Sequence, residues 1–382
     1  MRILVSVVVL GAAEVWRAPL LIEQTLLAEV LRVAVIGSAA LSALGLFTRA
    51  ATMAMAASLA VLFGIIQEQG TPIHVHHVVW LAVLMAASPA GAVWSIDSRR
   101  RGTPGLDDAA AAEATLRWAC VVLALVYFFP GLHKLVDHGS PFTDGTGGES
   151  LARLVRLKAI EAGAAVPFAV DRIPALLGVG GALVIIGELI VVVAALLRPR
   201  AGLVVVAVIH LAIVVVMHMP YTVLAVFGLV FALPASHGLP FATFRRAPVV
   251  SALASLMVIG IAWAGVRGDL KGYPFACYPT FSVPVPQRIR VLDVSTYNDV
   301  GALAAMPHGV VVPDDLRTPV TFALRRVTTA AAAERFVAWR RKDPRFEAAL
   351  SGARRVRVTI GVRDLSFVRA ADATVLVVDV EL

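Results

Sequence analysis

Ala175-Leu-Leu-Gly-Val-Gly-Gly-Ala-Leu-Val-Ile-Ile-Gly-Glu-Leu-Ile-Val-Val-Val-Ala-Ala-Leu196 contains one ionisable residue, Glu188. A bilayer core about 30 Å thick takes roughly 20 apolar residues in a helix, so this stretch is long enough to span it. A soluble helix of the same composition would have no polar face to turn to water. Working outward, similar windows centre on residues 2–16, 26–47, 50–66, 76–93, 115–133, 202–217, 220–234 and 249–266. Across 382 residues, 59% are hydrophobic and 16% charged, and mean hydropathy is +0.82. Soluble domains carry about 25% charge, so a soluble surface could not be covered. The expected fold class is an all-α polytopic membrane bundle of about eight or nine transmembrane helices, residues 1–266, followed by a small extracytoplasmic α+β domain, residues 267–382.

The net charge of +8 does not indicate a nucleic-acid partner, because half of the 34 basic residues lie beyond residue 266 and the others sit mainly in loops. The partner implied is the lipid bilayer. Cys120 and Cys277 are too few and too far apart for a disulfide framework or a thiolate metal site. The first apolar segment is followed by Glu14, Trp16 and Arg17 where a signal peptide would carry small cleavage-site residues, so it reads as a span. With the N-terminus in the cytoplasm, alternation puts Arg2, Arg49, Arg99, Arg100, Arg101, Arg198, Arg200, Arg245 and Arg246 inside. Arg17, Lys134, Arg153, Arg156, Lys158 and Arg172 fall outside. This inner excess favours that orientation and places the tail outside. Short loops and the lack of a targeting segment suit a bacterial inner membrane.

In the tail, 283–294, 320–327 and 356–362 alternate apolar and polar residues as strands do, and 375–380 is a β-branched run. Between the second and third lies a helix over 330–349, capped by Thr329 and broken or kinked at Pro344.

Ionisable residues inside or at the ends of apolar spans carry the chemical information, because each is costly in a membrane unless paired, hydrated or functional. Glu188 is near the middle of the sixth span and His210 about midway along the seventh. Lys134 ends the fifth, in Tyr127-Phe-Phe-Pro-Gly-Leu-His-Lys-Leu135. His74, His76 and His77 open the fourth, and His218 closes the seventh. Alternation brings Lys134, the His74 cluster and His218 to one outer face, as if around a cavity open to the exterior. Plainer readings stand beside this one: an interhelical hydrogen bond for His210, a structural ion pair for Glu188, an interfacial snorkelling lysine for Lys134. His74-Val-His-His77 could suggest a metal, but three histidines with no carboxylate nearer than Glu68 are weak ligands for one. No metal is expected.

Taken in order, these stretches resemble the vitamin K-dependent gamma-carboxylase family and its bacterial relatives, the horizontally transferred transmembrane (HTTM) domain proteins. The run from His74 to Trp94-Ser-Ile-Asp97 looks like that family's histidine-opened helix with its closing motif. Tyr127 to Leu135 looks like its tyrosine, glycine, lysine, leucine stretch. Gly187-Glu-Leu189 and Val208-Ile-His210 with His218-Met-Pro220 match its acidic and histidine helices. The resemblance implies Lys134 as catalytic base, assisted by His74, with His76 and His77 as competing alignments. His210 is the further catalytic candidate, and Tyr127, Glu188 and His218 are candidates for binding a reduced quinone of the vitamin K type. A lysine is ammonium at neutral pH, so a lysine base needs an apolar setting, which Tyr127, Phe128 and Phe129 could supply. His133 stands where the carboxylases carry a second lysine.

The function expected is that of a quinone-using lyase or carboxylase. The alternative is a non-catalytic membrane partner for the maturation, export or immunity of a secreted peptide, with the tail as docking module. A haem or copper redox subunit is a third reading, motivated by histidines in several spans.

Overall fold

A computed structural model describes residues 1–12, 26–68, 76–92, 95–101, 106–136, 142, 148–162, 166–217, 226–233, 240–268, 273, 275, 288–297, 301, 303–306, 311, 329–364 and 373–382. The N-terminal part is helical: α1 (Arg2–Ala12), α2 (Leu26–Leu44), α3 (Thr48–Glu68), α4 (His76–Ala86), α5 (Ile96–Arg101), α6 (Leu106–Val136), α7 (Glu149–Ala162), α8 (Pro174–Leu197), α9 (Pro199–Met217) and α10 (Pro248–Arg267). Among the described residues, α3, α6, α8, α9 and α10 are long and apolar enough to cross a membrane, and they fit an integral membrane protein. α1 and α4 are shorter apolar helices. Of the expected span over 220–234, residues 226–233 are described, and within them Gly228–Ala232 is a 3₁₀ helix.

Sequence dictates several helix starts. Pro174 and Pro248 occupy the first turns of α8 and α10, where a missing N–H costs nothing and the fixed φ suits a helix. Gly268 ends α10 in the left-handed conformation, φ 63°, as glycine does without penalty. The turn from α2 into α3 uses positive φ at Gly45 and Phe47. It is held by Asp97, whose carboxylate accepts hydrogen bonds from Phe47 N at 3.2 Å, Thr48 N at 2.7 Å and Thr48 Oγ1 at 2.8 Å. Asp97, the end of the Trp-Ser-Ile-Asp stretch, thus caps α3 from a distant segment.

α6 is the central helix, packed against α8, α10 and α4. At 31 residues it is about 46 Å long, longer than the expected 115–133 because it begins in the polar stretch that opens with Asp107 and Asp108. Trp80, Trp118, Phe63, Phe227 and Phe231 are fully or almost fully buried in the bundle's apolar core. α8 and α9 keep most of their apolar side chains outward, 28% of each helix's most apolar stretch being buried, which suits a hydrocarbon surround. α7 and Met217 of α9 share a smaller apolar cluster with Leu177 of α8 and with Phe142.

The tail forms a four-stranded antiparallel sheet in the order β2-β1-β3-β4, with β1 (Arg288–Tyr297), β2 (Leu303–Ala305), β3 (Arg355–Asp364) and β4 (Ala373–Glu381). Val294, Val358 and Val378 lie side by side across β1, β3 and β4. They are buried with Phe336, Val337 and Phe346 from α11 (Ala330–Arg340) and α12 (Pro344–Ala349). The opposite sheet face carries Arg357 paired with Asp379 at 2.8 Å and Arg355 with Glu381 at 2.8 Å. The expected strands over 356–362 and 375–380 coincide with β3 and β4, whereas 320–327 lies outside the described residues. The expected 330–349 helix is two helices: Thr329 caps the first, and Pro344 starts the second under an Asp343 cap.

Asp343 also anchors the domain electrostatically. The Arg345 guanidinium, aided by its backbone N–H and by Arg340, holds this carboxyl down at about 2, against the opposing effect of burial. A carboxyl lowered on folding stabilises the folded state above its ordinary value of 3.8, and that contribution is lost as pH falls towards 2. In the detergent-solubilised chain, Trp339 packing followed by near-UV circular dichroism is expected to weaken across that window. Asp343→Asn should remove that acid dependence.

Candidate functional site

Three inward-facing positions of α6, Tyr127, Gly131 and Lys134, are spaced at i, i+4 and i+7 and share one helix face. On α8 the buried face runs through Leu177, Gly181, Ile185 and Glu188. The two faces meet where Gly131 lies beside Glu188. A Cβ at Gly131 would come within 2.8 Å of the Glu188 Cβ, so only glycine admits the carboxylate at this crossing. Pro130 precedes it inside the helix, removing one backbone donor. Gly187, on the neighbouring face of α8, receives Ile209 of α9, with 3.2 Å from its would-be Cβ to Ile209 Cδ1. Small residues at crossings are the usual means by which membrane helices approach closely.

Lys134 Nζ donates to both carboxylate oxygens of Glu188, at 2.5 Å to Oε1 and 2.7 Å to Oε2. The two residues are 2% and 6% exposed. The Phe142 ring lies over the ammonium, 5.3 Å from Nζ to its centroid. The apolar setting expected from Tyr127, Phe128 and Phe129 is replaced at the nitrogen by an ion pair under one aromatic ring. Phe129 instead fills the space at Gly265 of α10, and Tyr127 turns to α9. Isolated charges at this depth would be very costly, and a pair with full hydrogen bonding is the form in which they are tolerated.

The Tyr127 hydroxyl and His210 Nε2 are 2.8 Å apart, with the two rings edge to face. Both residues are buried, and Tyr127 lies within electrostatic reach of Glu188. His77, fully buried, is within electrostatic reach of both His210 and His76, and its ring meets Phe227 edge on at 5.4 Å. One face of α6 therefore carries two buried polar contacts, Lys134 to Glu188 of α8 and Tyr127 to His210 of α9. His133 Nε2 bonds to the Gly265 carbonyl at 2.6 Å, tying α6 to α10 next to the lysine.

His74 and His218, both expected in the site, lie outside the described residues, so the α4 histidines placed by the structure are the competing pair His76 and His77. Sequence reasoning missed Phe142, and it named His77 only as a competing alignment for the histidine assisting Lys134. The direct bond between Tyr127 and His210 was also missed, because nothing in one helix's spacing reveals which neighbour it faces. Tyr273 and Phe275, just beyond α10 in sequence, pack into the bundle. Tyr273 donates its hydroxyl to the Ala60 carbonyl and meets His76 edge on at 5.4 Å, and Phe275 lies along Trp80 at 6.3 Å. Among the described residues, no group of three or more His, Cys, Asp or Glu side chains gathers as metal ligands would.

Comparison with known proteins adds no relative: no family model matches the chain, and no curated protein or solved structure does.

Proposed function

We propose that this chain is an integral membrane enzyme of the HTTM, gamma-carboxylase-like type, with Lys134 and Glu188 as its acid–base unit and a reduced quinone as the lipid-soluble substrate. The observation that carries the proposal is the buried bidentate contact between Lys134 Nζ and the Glu188 carboxylate. The fold proposed around it has eight or nine spans, an N-terminus in the cytoplasm of a bacterial cell and the tail outside. The buried carboxylate and amine, with a phenol and an imidazole nearby, fit the hydroxyl groups of an apolar diol.

The proton arithmetic assigns the roles. An ammonium has no lone pair, so in the ion pair the atoms able to accept a proton are the oxygens of Glu188. Moving one proton from Nζ to Oε1 along the 2.5 Å bond gives a neutral amine beside a carboxylic acid. In that form the Lys134 nitrogen can act as base. Glu188 is therefore the residue that activates Lys134. Tyr127, about two helical turns before Lys134 on the same face, holds its hydroxyl against His210, and this couple can take up or return a proton inside the bundle. A reduced quinone, when bound, would supply the acidic hydroxyl. The tail's separate apolar core favours a second reading, in which a secreted peptide docks there as substrate or client.

The test is mass spectrometry of lipids retained by gently purified protein, comparing wild type with Glu188→Gln and Tyr127→Phe. A quinone retained by wild type and depleted several-fold in folded Glu188→Gln supports the reading. Absence of any quinone from folded wild type contradicts it. Tyr127→Phe keeps the ring and removes the bond to His210, and is expected to lower turnover of bound substrate about 10²-fold or more with little change in its binding.

A further inference from the structure

Between α7 and α8 the chain makes a 3₁₀ turn, Pro167–Arg172, in which Phe168 and Ala169 adopt φ of 52° and 48°. A bulky residue rarely takes this left-handed backbone. The turn is nevertheless firmly held. Val166 and Val170 pack on the apolar cluster under α7. Arg156 of α7 donates to the Asp171 carboxylate at 2.7 Å and to the Asp171 carbonyl at 3.1 Å. This fixed turn presents Phe168 outward, 88% exposed, beside the exposed Arg172.

The exposed side continues along α8. Ile173, Leu176, Val179, Leu183, Ile186 and Ile190 are all exposed and recur every three or four residues, on the side opposite Glu188. In a spanning helix such a stripe faces hydrocarbon, so Phe168 lies where that stripe reaches the membrane surface. α7 itself is amphipathic: Leu151, Leu154 and Val155 are buried, and Arg153 and Arg156 lie on its half-buried side. A helix with an apolar face and a basic face is suited to lying in the interface plane.

We propose that the turn Pro167–Arg172 and α7 form an interfacial anchor for anionic phospholipid, with Phe168 inserted at the boundary between headgroups and acyl chains and Arg172 at the headgroup phosphates. Charge complementarity selects this occupant, because a basic residue beside an exposed aromatic matches a surface that is anionic outside and apolar beneath. The anchor gives a role to Arg153 and Arg172, while Arg156 is engaged by Asp171 within the turn. It also fixes α7, whose apolar cluster includes Phe142, the ring over Lys134.

The experiment uses the full chain with Cys120→Ala and Cys277→Ser, carrying a nitroxide at Phe168→Cys, in vesicles of phosphatidylcholine with or without phosphatidylglycerol. The nitroxide's collisions with oxygen and with a water-soluble nickel chelate are compared with those of a label at Ala330→Cys in the tail. The expected result is a several-fold higher ratio of oxygen to nickel accessibility at position 168. The ratio should rise further with phosphatidylglycerol and lose that rise in Arg172→Gln, each basic residue near an anionic surface being worth about a fivefold preference. A label at 168 as open to nickel as the one at 330 would overturn the anchor. Equal insertion with and without phosphatidylglycerol would overturn its anionic specificity.

Discussion

Lys134→Met alone is expected to destabilise the bundle by roughly 3–5 kcal/mol, while Lys134→Met combined with Glu188→Leu recovers most of that loss. The single substitution leaves the 6% exposed Glu188 carboxylate among apolar helices with its main hydrogen-bond donor gone. The double substitution removes both charges and leaves volumes that can pack. Apolar replacement of a buried pair is often neutral or better, by about 1–4 kcal/mol. Both proteins should lack activity if the pair is the acid–base unit, so stability and function separate. Thermal unfolding in detergent, followed by near-UV circular dichroism, reads the first. A Lys134→Met protein within about 1 kcal/mol of wild type would mean that the pair is solvated and the buried geometry wrong.

Gly265→Ala is the second large effect expected. Its new Cβ would stand 2.3 Å from Phe129 Cγ and 2.4 Å from Cδ2, distances no side chain tolerates. Phe129 is 6% exposed and has little room to swing away, so overpacking should cost about 1–3 kcal/mol. The backbone carbonyl of the same glycine accepts the bond of His133, so pushing α10 outward also strains the residue next to Lys134. Combining Gly265→Ala with Phe129→Ala should cost less than the sum of the two alone, because the second removes the ring the first collides with. Gly180→Ala is the control: nothing lies within 4 Å of its Cβ position. Additive losses at 265 and 129 would show that the crossing is not limited by this contact.

The bundle was legible because membrane burial writes a long, simple signal. The stretch around Glu188 is apolar over more than six helical turns, and α8 occupies Pro174–Leu197, close to the 175–196 expected. Boundaries were less legible where polar residues continue a helix. Nothing apolar marks Asp107 and Asp108, yet they open α6, because acidic residues suit a first turn. α7 escaped notice because an amphipathic interfacial helix lacks the apolar length of a span. In the tail, one helix stops at Arg340 and Pro344 begins another, and the Asp343 side chain that caps the second makes a break more stable than a kink. β2, with three residues, is too short for any alternation to be read.

The site was legible residue by residue and not as a geometry. Glu188 and Lys134 each stood out as an ionisable group in an apolar run. That they are partners depends on α6 meeting α8 at Gly131, and a glycine in one helix does not announce what fills its place. A structural ion pair for Glu188 was among the plain readings, and the contact with Lys134 has that form. The same contact is what gives the lysine a group able to take its proton. Asp97 illustrates the opposite case, a residue in a conspicuous motif whose visible work is to bind backbone donors at the start of α3.

The most direct test of the central claim is infrared difference spectroscopy of the reconstituted protein on addition of a reduced quinone. A proton passing to the Lys134–Glu188 unit should produce a carboxylic-acid C=O band that is absent from Glu188→Gln and shifts in deuterium oxide. A difference spectrum with no carboxylic-acid band in wild type, or with one that survives Glu188→Gln, would contradict the account.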